Sequence, residues 1–121
     1  MIDFLIIVLI CVIMGSFGQI YMKMGLKETG GIELNQLITS KLFTIIFNKY
    51  VFTGVVLYLL ATLLWFVVLS KAELSFAYPL ISLGYVLTAV LAIFYFQENV
   101  TLIRWLGIVL ILSGVFLITR S

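Results

Sequence analysis

Charge is confined to the ends of long neutral intervals, and that pattern most constrains what this chain can fold into. The twelve charged residues leave 19 uncharged positions between Asp3 and Lys23, 21 between Lys49 and Lys71, and 24 between Glu73 and Glu98. A fourth interval, Arg104 to Arg120, holds 15 and extends back to Leu102 once Arg104 snorkels from the first turn of a helix. About 20 mainly apolar residues cross a ~30 Å hydrocarbon core as a helix. The spacing therefore predicts an all-α membrane protein. Its four transmembrane helices, near 3–23, 50–70, 75–97 and 102–119, form an up-down bundle in a single domain, 1–121. Composition agrees, with 64% apolar and only 10% charged residues. That leaves too little polar surface to coat a globule in water.

Several chemistries are excluded by what the chain lacks. It has no histidine and a single cysteine, Cys11, inside the first helix. Imidazole acid–base catalysis, intrachain disulfides and cysteine–histidine metal clusters are therefore absent from the expected repertoire. No catalytic residue, metal or cofactor is expected, and no nucleic-acid partner. The start, Met1-Ile2-Asp3, is acidic where a secretory signal is basic, so the first span reads as a retained helix.

The connections are short except the first. Gly25, Gly30 and Gly31 interrupt the chain after helix one, and Leu34, Leu37, Ile38, Ile45 and Ile46 then recur at helical spacing. A short interfacial amphipathic helix there, or a polar loop with an early start to helix two, satisfies the pattern. Lys23, Lys27, Lys41, Lys49 and Arg104 fall on one side, against Lys71 and Arg120 on the other. The positive-inside rule then places both termini outside.

Polar and small residues within the spans mark a candidate substrate path. Gly15, Gly18, Gln19 and Met22 share a face of helix one. The glycines suit close helix packing, while Gln19 either bonds across an interface or meets a substrate headgroup. Lys23 and Lys27 serve as interfacial anchors or as cations facing a phosphate at a groove mouth. In helix three, Tyr78, Ser82, Tyr85 and Ala89 align at α-helical spacing, and Pro79 and Gly84 mark a bend or hinge. Glu98 either pairs loosely with Arg104 in the turn or contacts a substrate or lysine in the groove. Gly107 and Gly114 stripe helix four and suit close contact, within the chain or across a dimer. No Asp, Glu, Lys, Arg or His lies near the centre of any span, where proton-coupled carriers usually hold a titratable group.

The stretch Gly15 to Lys23, Leu74-Ser75-Phe76-Ala77-Tyr78-Pro79-Leu80, Gln97-Glu98-Asn99 and Gly107 to Val115 resemble the four-helix members of the drug/metabolite transporter superfamily. Within it, the Gly-Gln…Lys of helix one and Ala77-Tyr78-Pro79-Leu80-Ile81-Ser82-Leu83 are similar to EamA-like proteins, including the paired subunits proposed to flip undecaprenyl phosphate–aminoarabinose. The small multidrug resistance exporters are more distant. Their membrane-embedded glutamate in helix one corresponds here to Gly15, and their Gly-Val-Gly bend to Leu83-Gly84-Tyr85.

That resemblance implies an inner-membrane transporter, a flippase for a polyisoprenyl-phosphate-linked sugar. It would act as a homodimer or as a heterodimer with a similar subunit, and its partners would be membrane lipid and an amphipathic substrate. Gln19, Lys23, Lys27, Tyr78, Ser82, Tyr85 and Glu98 are the expected substrate-binding residues. A proton-coupled multidrug or polyamine exporter relying on Glu98, and a non-transporting membrane subunit, are the alternatives.

Overall fold

The structure, a computed structural model, describes residues 2–121. The first membrane helix, α1 (Ile2–Thr29), is longer than the charge spacing predicts, because Lys23 and Lys27 continue the helix beyond the neutral interval. It ends where Gly30 and Gly31 adopt φ of +85° and +83°, a conformation that side chains with a Cβ rarely take. The Lys41 ammonium donates to the Thr29 carbonyl at 2.9 Å, satisfying one of the orphan acceptors at that helix end.

The first connection holds a 3₁₀ turn, Leu34–Gln36, and a seven-residue helix, α2 (Ser40–Ile46), so the expected amphipathic segment is a broken one. Helix α3 (Lys49–Lys71) starts at Asn48, whose side-chain oxygen accepts from the amides of Tyr50 and Val51 at 3.0 and 3.3 Å. The third span is composite, with α4 (Leu74–Ala77), a 3₁₀ stretch over Tyr78–Leu83 and α5 (Gly84–Phe96). Pro79 stands at the start of the 3₁₀ stretch, where it removes a backbone donor and prevents a continuous α ladder. Helix α6 (Leu102–Thr119) is capped by Thr101, whose hydroxyl accepts from the Arg104 amide at 3.2 Å. The four spans of 27, 23, 23 and 18 residues are each long and apolar enough to cross a bilayer.

Packing is uneven along the bundle. Val8 and Val12 of α1, Val68 of α3, Ala77, Leu80 and Val115 of α6 form a buried cluster toward the end that carries the α3–α4 turn. Phe4 and Phe76 close it with ring centroids 6.1 Å apart. In the other half α1 and α3 cross closely at Gly18 and Gly54. A Cβ on Gly18 would lie 2.9 Å from the Gly54 carbonyl oxygen, so two bare backbones set this approach. Helix α6 lies mainly against the 3₁₀ stretch and leaves Ile103, Leu110 and Leu117 exposed. Most of the apolar surface faces outward, as a bilayer solvent requires.

Candidate functional site

Between α1, α3, the composite third span and the start of α6 lies a cavity of about 720 Å³. One wall is α1, through Cys11, Gly15, Ser16 and Gln19. Gly15 therefore does not pack a helix as expected: no atom lies within 4 Å of where its Cβ would be, and the space opposite is the cavity. Of the glycines expected to pack helices, Gly18 does so. Gly54, which the residue pattern did not single out, supplies the other half of its contact.

A second wall is the α3 stripe Tyr58, Ala61, Thr62 and Trp65. This set follows i, i+3, i+4, i+7 spacing, so a face of phenol, hydroxyl and indole in an otherwise aliphatic helix was legible beforehand. The third wall is Tyr78, Ile81, Gly84, Tyr85, Thr88, Ala89 and Ala92. Tyr78 and Tyr85 are thus brought together, but Ser82 is not with them. In a 3₁₀ turn residues three apart eclipse one another, so Ile81 and Gly84 follow Tyr78 along the wall. Ser82 is turned aside, and its hydroxyl donates to the Pro79 carbonyl at 2.6 Å. The α-helical spacing assumed for this segment was the error. Gly84 is also a contact residue, since a Cβ there would meet the Ser16 hydroxyl oxygen at 3.0 Å.

The polar atoms of these walls are largely uncommitted. Thr62 donates back to the Tyr58 carbonyl at 2.9 Å. The Gln19 amide and the phenols of Tyr58, Tyr78 and Tyr85 have no hydrogen-bond partner among the described residues. Tyr78 is 63% exposed, and Gln19, Tyr58 and Tyr85 are exposed too, so the cavity is a groove open along its side.

At one end the groove reaches Glu98, Val100 and Arg104. Glu98 does not pair with Arg104. Its carboxylate accepts from the Lys23 ammonium at 2.6 Å, the one ion pair among the described residues, which ties the α5–α6 turn to α1. Gln97 allows this by taking the left-handed conformation, φ +51° and ψ +37°, which ends α5 and swings Glu98 back toward α1. The hydrogen bond from Lys23 holds the Glu98 carboxyl below the usual carboxylate range. Partial desolvation opposes this, and the charges of Lys23, Lys27 and Arg104 assist it. Lys23 and Lys27 do not line the groove. Their ammonium groups stand 5.3 and 4.9 Å from the centroid of the Phe96 ring. Arg104 does line it, with one long contact to the Asn99 carbonyl at 3.5 Å. Expected from the sequence to snorkel or to pair loosely with Glu98, it is the cation that lines this end of the groove. Among the described residues no group of His, Cys, Asp and Glu is placed to hold a metal ion.

Comparison with known families supplies the deciding observation: the model of the EamA-like transporter family matches residues 37–120. The chain belongs to the EamA-like transporter family. This transporter is 32% identical over 111 residues to a probable 4-amino-4-deoxy-L-arabinose-phosphoundecaprenol flippase subunit ArnF of Proteus mirabilis, covering 88% of this chain and 84% of that one. A similarly named ArnF of Serratia proteamaculans is 33% identical over 117 residues, 91% and 87% of the two chains. A probable flippase subunit ArnE of Pseudomonas fluorescens is 38% identical over 61 residues, half of this chain and 54% of that one. No solved structure matches the chain significantly. As a multi-pass membrane protein of a transporter family, this EamA-like chain holds between its membrane helices a mainly apolar groove studded with amide, hydroxyl and phenol groups.

Proposed function

We propose that this chain is one subunit of a flippase that moves a polyisoprenyl-phosphate-linked sugar across a bacterial inner membrane. The observation that carries the reading is the side-open groove, where the side-chain polar groups of Gln19, Tyr58, Tyr78 and Tyr85 have no partner among the described residues and whose end holds Arg104 and Glu98. A phosphate–sugar headgroup crosses hydrocarbon only if its lost hydration is replaced. The amide and phenols can replace it along the path, while the open side lets the isoprenoid tail stay in lipid. The names of the relatives, which are flippase subunits for such a lipid, support the same substrate class.

With no carboxylate or amine at mid-depth, consumption of the product on the far side supplies the direction of net flow. Pairing with a similar subunit completes the path. At Gly107 and Gly114 of α6 no atom beyond the helix's own adjoining backbone lies within 4 Å of where a Cβ would stand, which leaves room for a neighbouring helix. The excess of cations on the Lys23–Lys49 and Arg104 side supports an orientation with both termini outside and the groove's Glu98–Arg104 end facing the cytoplasm. A proton-coupled cation exporter fits less well, because no carboxylate stands at mid-depth and a bare cation taking Glu98 would leave Lys23 without its ion-pair partner.

The test is reconstitution into proteoliposomes, alone and with a similar subunit, with a short-chain polyprenyl phosphate carrying an amino sugar. Headgroup translocation should appear and should fall in Gln19→Ala and Tyr85→Phe. Absence of translocation in both reconstitutions overturns the reading.

A further inference from the structure

The Lys23–Glu98 pair has the same charges as one kind of headgroup: an ammonium against an oxyanion. Resting on the flippase reading above, we propose that this pair stands in for a zwitterionic amino-sugar phosphate and is exchanged for it on binding. Glu98 takes the substrate ammonium, and Lys23 with Arg104 takes the phosphodiester.

The geometry carries each part of the exchange. Lys23 is 51% and Glu98 33% exposed at the side chain, so a ligand reaches both without unfolding anything. Glu98 and Arg104 line the same end of the groove, and the Arg104 guanidinium has only its 3.5 Å contact to the Asn99 carbonyl to give up. A guanidinium can grip a phosphate through two parallel bonds, and an ammonium adds a compact charge. Lys27, held against Phe96 near the same mouth, leaves the cluster of three cations and one carboxylate positive overall, which favours the phosphate arriving first. Parting Lys23 from Glu98 at an empty mouth leaves each charge to water alone. A zwitterion supplies a new partner to each as the old one leaves, so the exchange conserves ion pairs.

Two consequences follow. The phosphodiester and the ammonium sum to no net charge, so the headgroup needs no accompanying ion in a path that carries no charged side chain at mid-depth. Opening the pair also removes the ion pair between the α5–α6 turn and α1, a link spanning 75 positions of the chain, and a ligand bearing both charges replaces both halves of it. Glu98 thereby becomes the residue that selects an amino sugar over a neutral one.

The experiment measures equilibrium binding to the purified full chain in detergent, by native mass spectrometry. Three probes are used: a short-chain polyprenyl phosphate bearing a 4-amino sugar, its N-formyl counterpart, and the unsubstituted polyprenyl phosphate. The wild type should prefer the amino form over the N-formyl form by about tenfold or more, the worth of one charge-assisted hydrogen bond. Glu98→Gln should bind the two equally, Glu98→Asp should keep the preference, and Lys23→Gln should weaken all three probes. Helical circular dichroism, and binding of unsubstituted polyprenyl phosphate that Glu98→Gln should tighten because Lys23 then has no carboxylate to give up, separate a lost contact from a lost fold. An undiminished preference in a folded Glu98→Gln overturns the exchange and leaves the flippase reading standing. Failure of the wild type to bind any of the three probes, both alone and together with a similar subunit, overturns both.

Discussion

Two glycines on facing surfaces should respond to the same substitution with opposite signs. At Gly54 of α3 a Cβ would stand 2.5 Å from the Gly18 carbonyl oxygen, 2.7 Å from the Met22 Cγ and 2.8 Å from the Met22 nitrogen. All three lie inside the 3.4 Å at which ordinary contact begins, and two belong to the backbone of α1, which no rotamer change can move aside. Gly54→Ala therefore has to push α1 and α3 apart, and overpacking of this kind costs about 1–3 kcal/mol. Alanine recovers up to about 1 kcal/mol of helix propensity, leaving a net loss of up to about 2 kcal/mol. At Gly15 of α1 nothing lies within 4 Å of the same atom, so Gly15→Ala keeps the propensity gain, up to about 1 kcal/mol, without a clash. Reversible unfolding of the detergent-solubilised chain, followed by helical circular dichroism, measures both. The midpoint should fall for Gly54→Ala and hold or rise for Gly15→Ala. Equal losses at both positions would refute the close α1–α3 crossing and the open space beside Gly15.

Other perturbations probe the site. The Glu98 carboxyl is held below its unfolded value, so its bond to Lys23 contributes fully above the ordinary carboxylate range, about pH 4.3, and is lost as the pH falls through the lower folded value. Amide-exchange protection across 97–101, corrected for intrinsic rates, should stay level from neutral pH to about pH 5 and drop only in stronger acid. That drop should vanish in Glu98→Gln. Because the Ser82 hydroxyl is turned into the backbone, Ser82→Ala should leave headgroup binding within about twofold, whereas Tyr85→Phe, which removes an uncommitted donor, should weaken it about three- to tenfold in the same titration. Pro79→Ala removes the ring that blocks a continuous α ladder. In a Cys11→Ser background carrying Ser82→Cys, it should speed labelling of position 82 by a polar thiol reagent as that position turns toward the groove. Unchanged labelling would mean that the 3₁₀ geometry does not depend on the proline.

Much of this molecule was written in the order of its residues, because a bilayer tolerates few arrangements of charge. Intervals of 19, 21 and 24 neutral positions had to be helices, since only a helix satisfies its own backbone where water is absent. The starts of α3 and α6 at Asn48 and Thr101 are local matters of capping, and of the three glycines expected to interrupt the chain Gly30 and Gly31 end α1 while Gly25 stays within it. Gln19, Tyr78, Tyr85 and Glu98 stood out as polar groups in apolar surroundings, and the structure sets them around one groove.

What the residue order did not decide were matters of rotation and of long-range approach. Ser82 shares a face with Tyr78 at 3.6 residues per turn and leaves it at 3.0, and the choice between them depends on Pro79 meeting its surroundings. Gly15 and Gly18 look alike on paper, yet one faces empty space and the other a backbone, because only the path of α3 determines which meets Gly54. The partner of Glu98 is Lys23, 75 positions away, and not Arg104 only six residues on, because the left-handed turn at Gln97 aims the carboxylate at α1. Hydropathy and charge spacing act one segment at a time, so the chain alone determined the spans. Which atoms meet across them depends on how two helices cross, and that is a property of the assembled bundle.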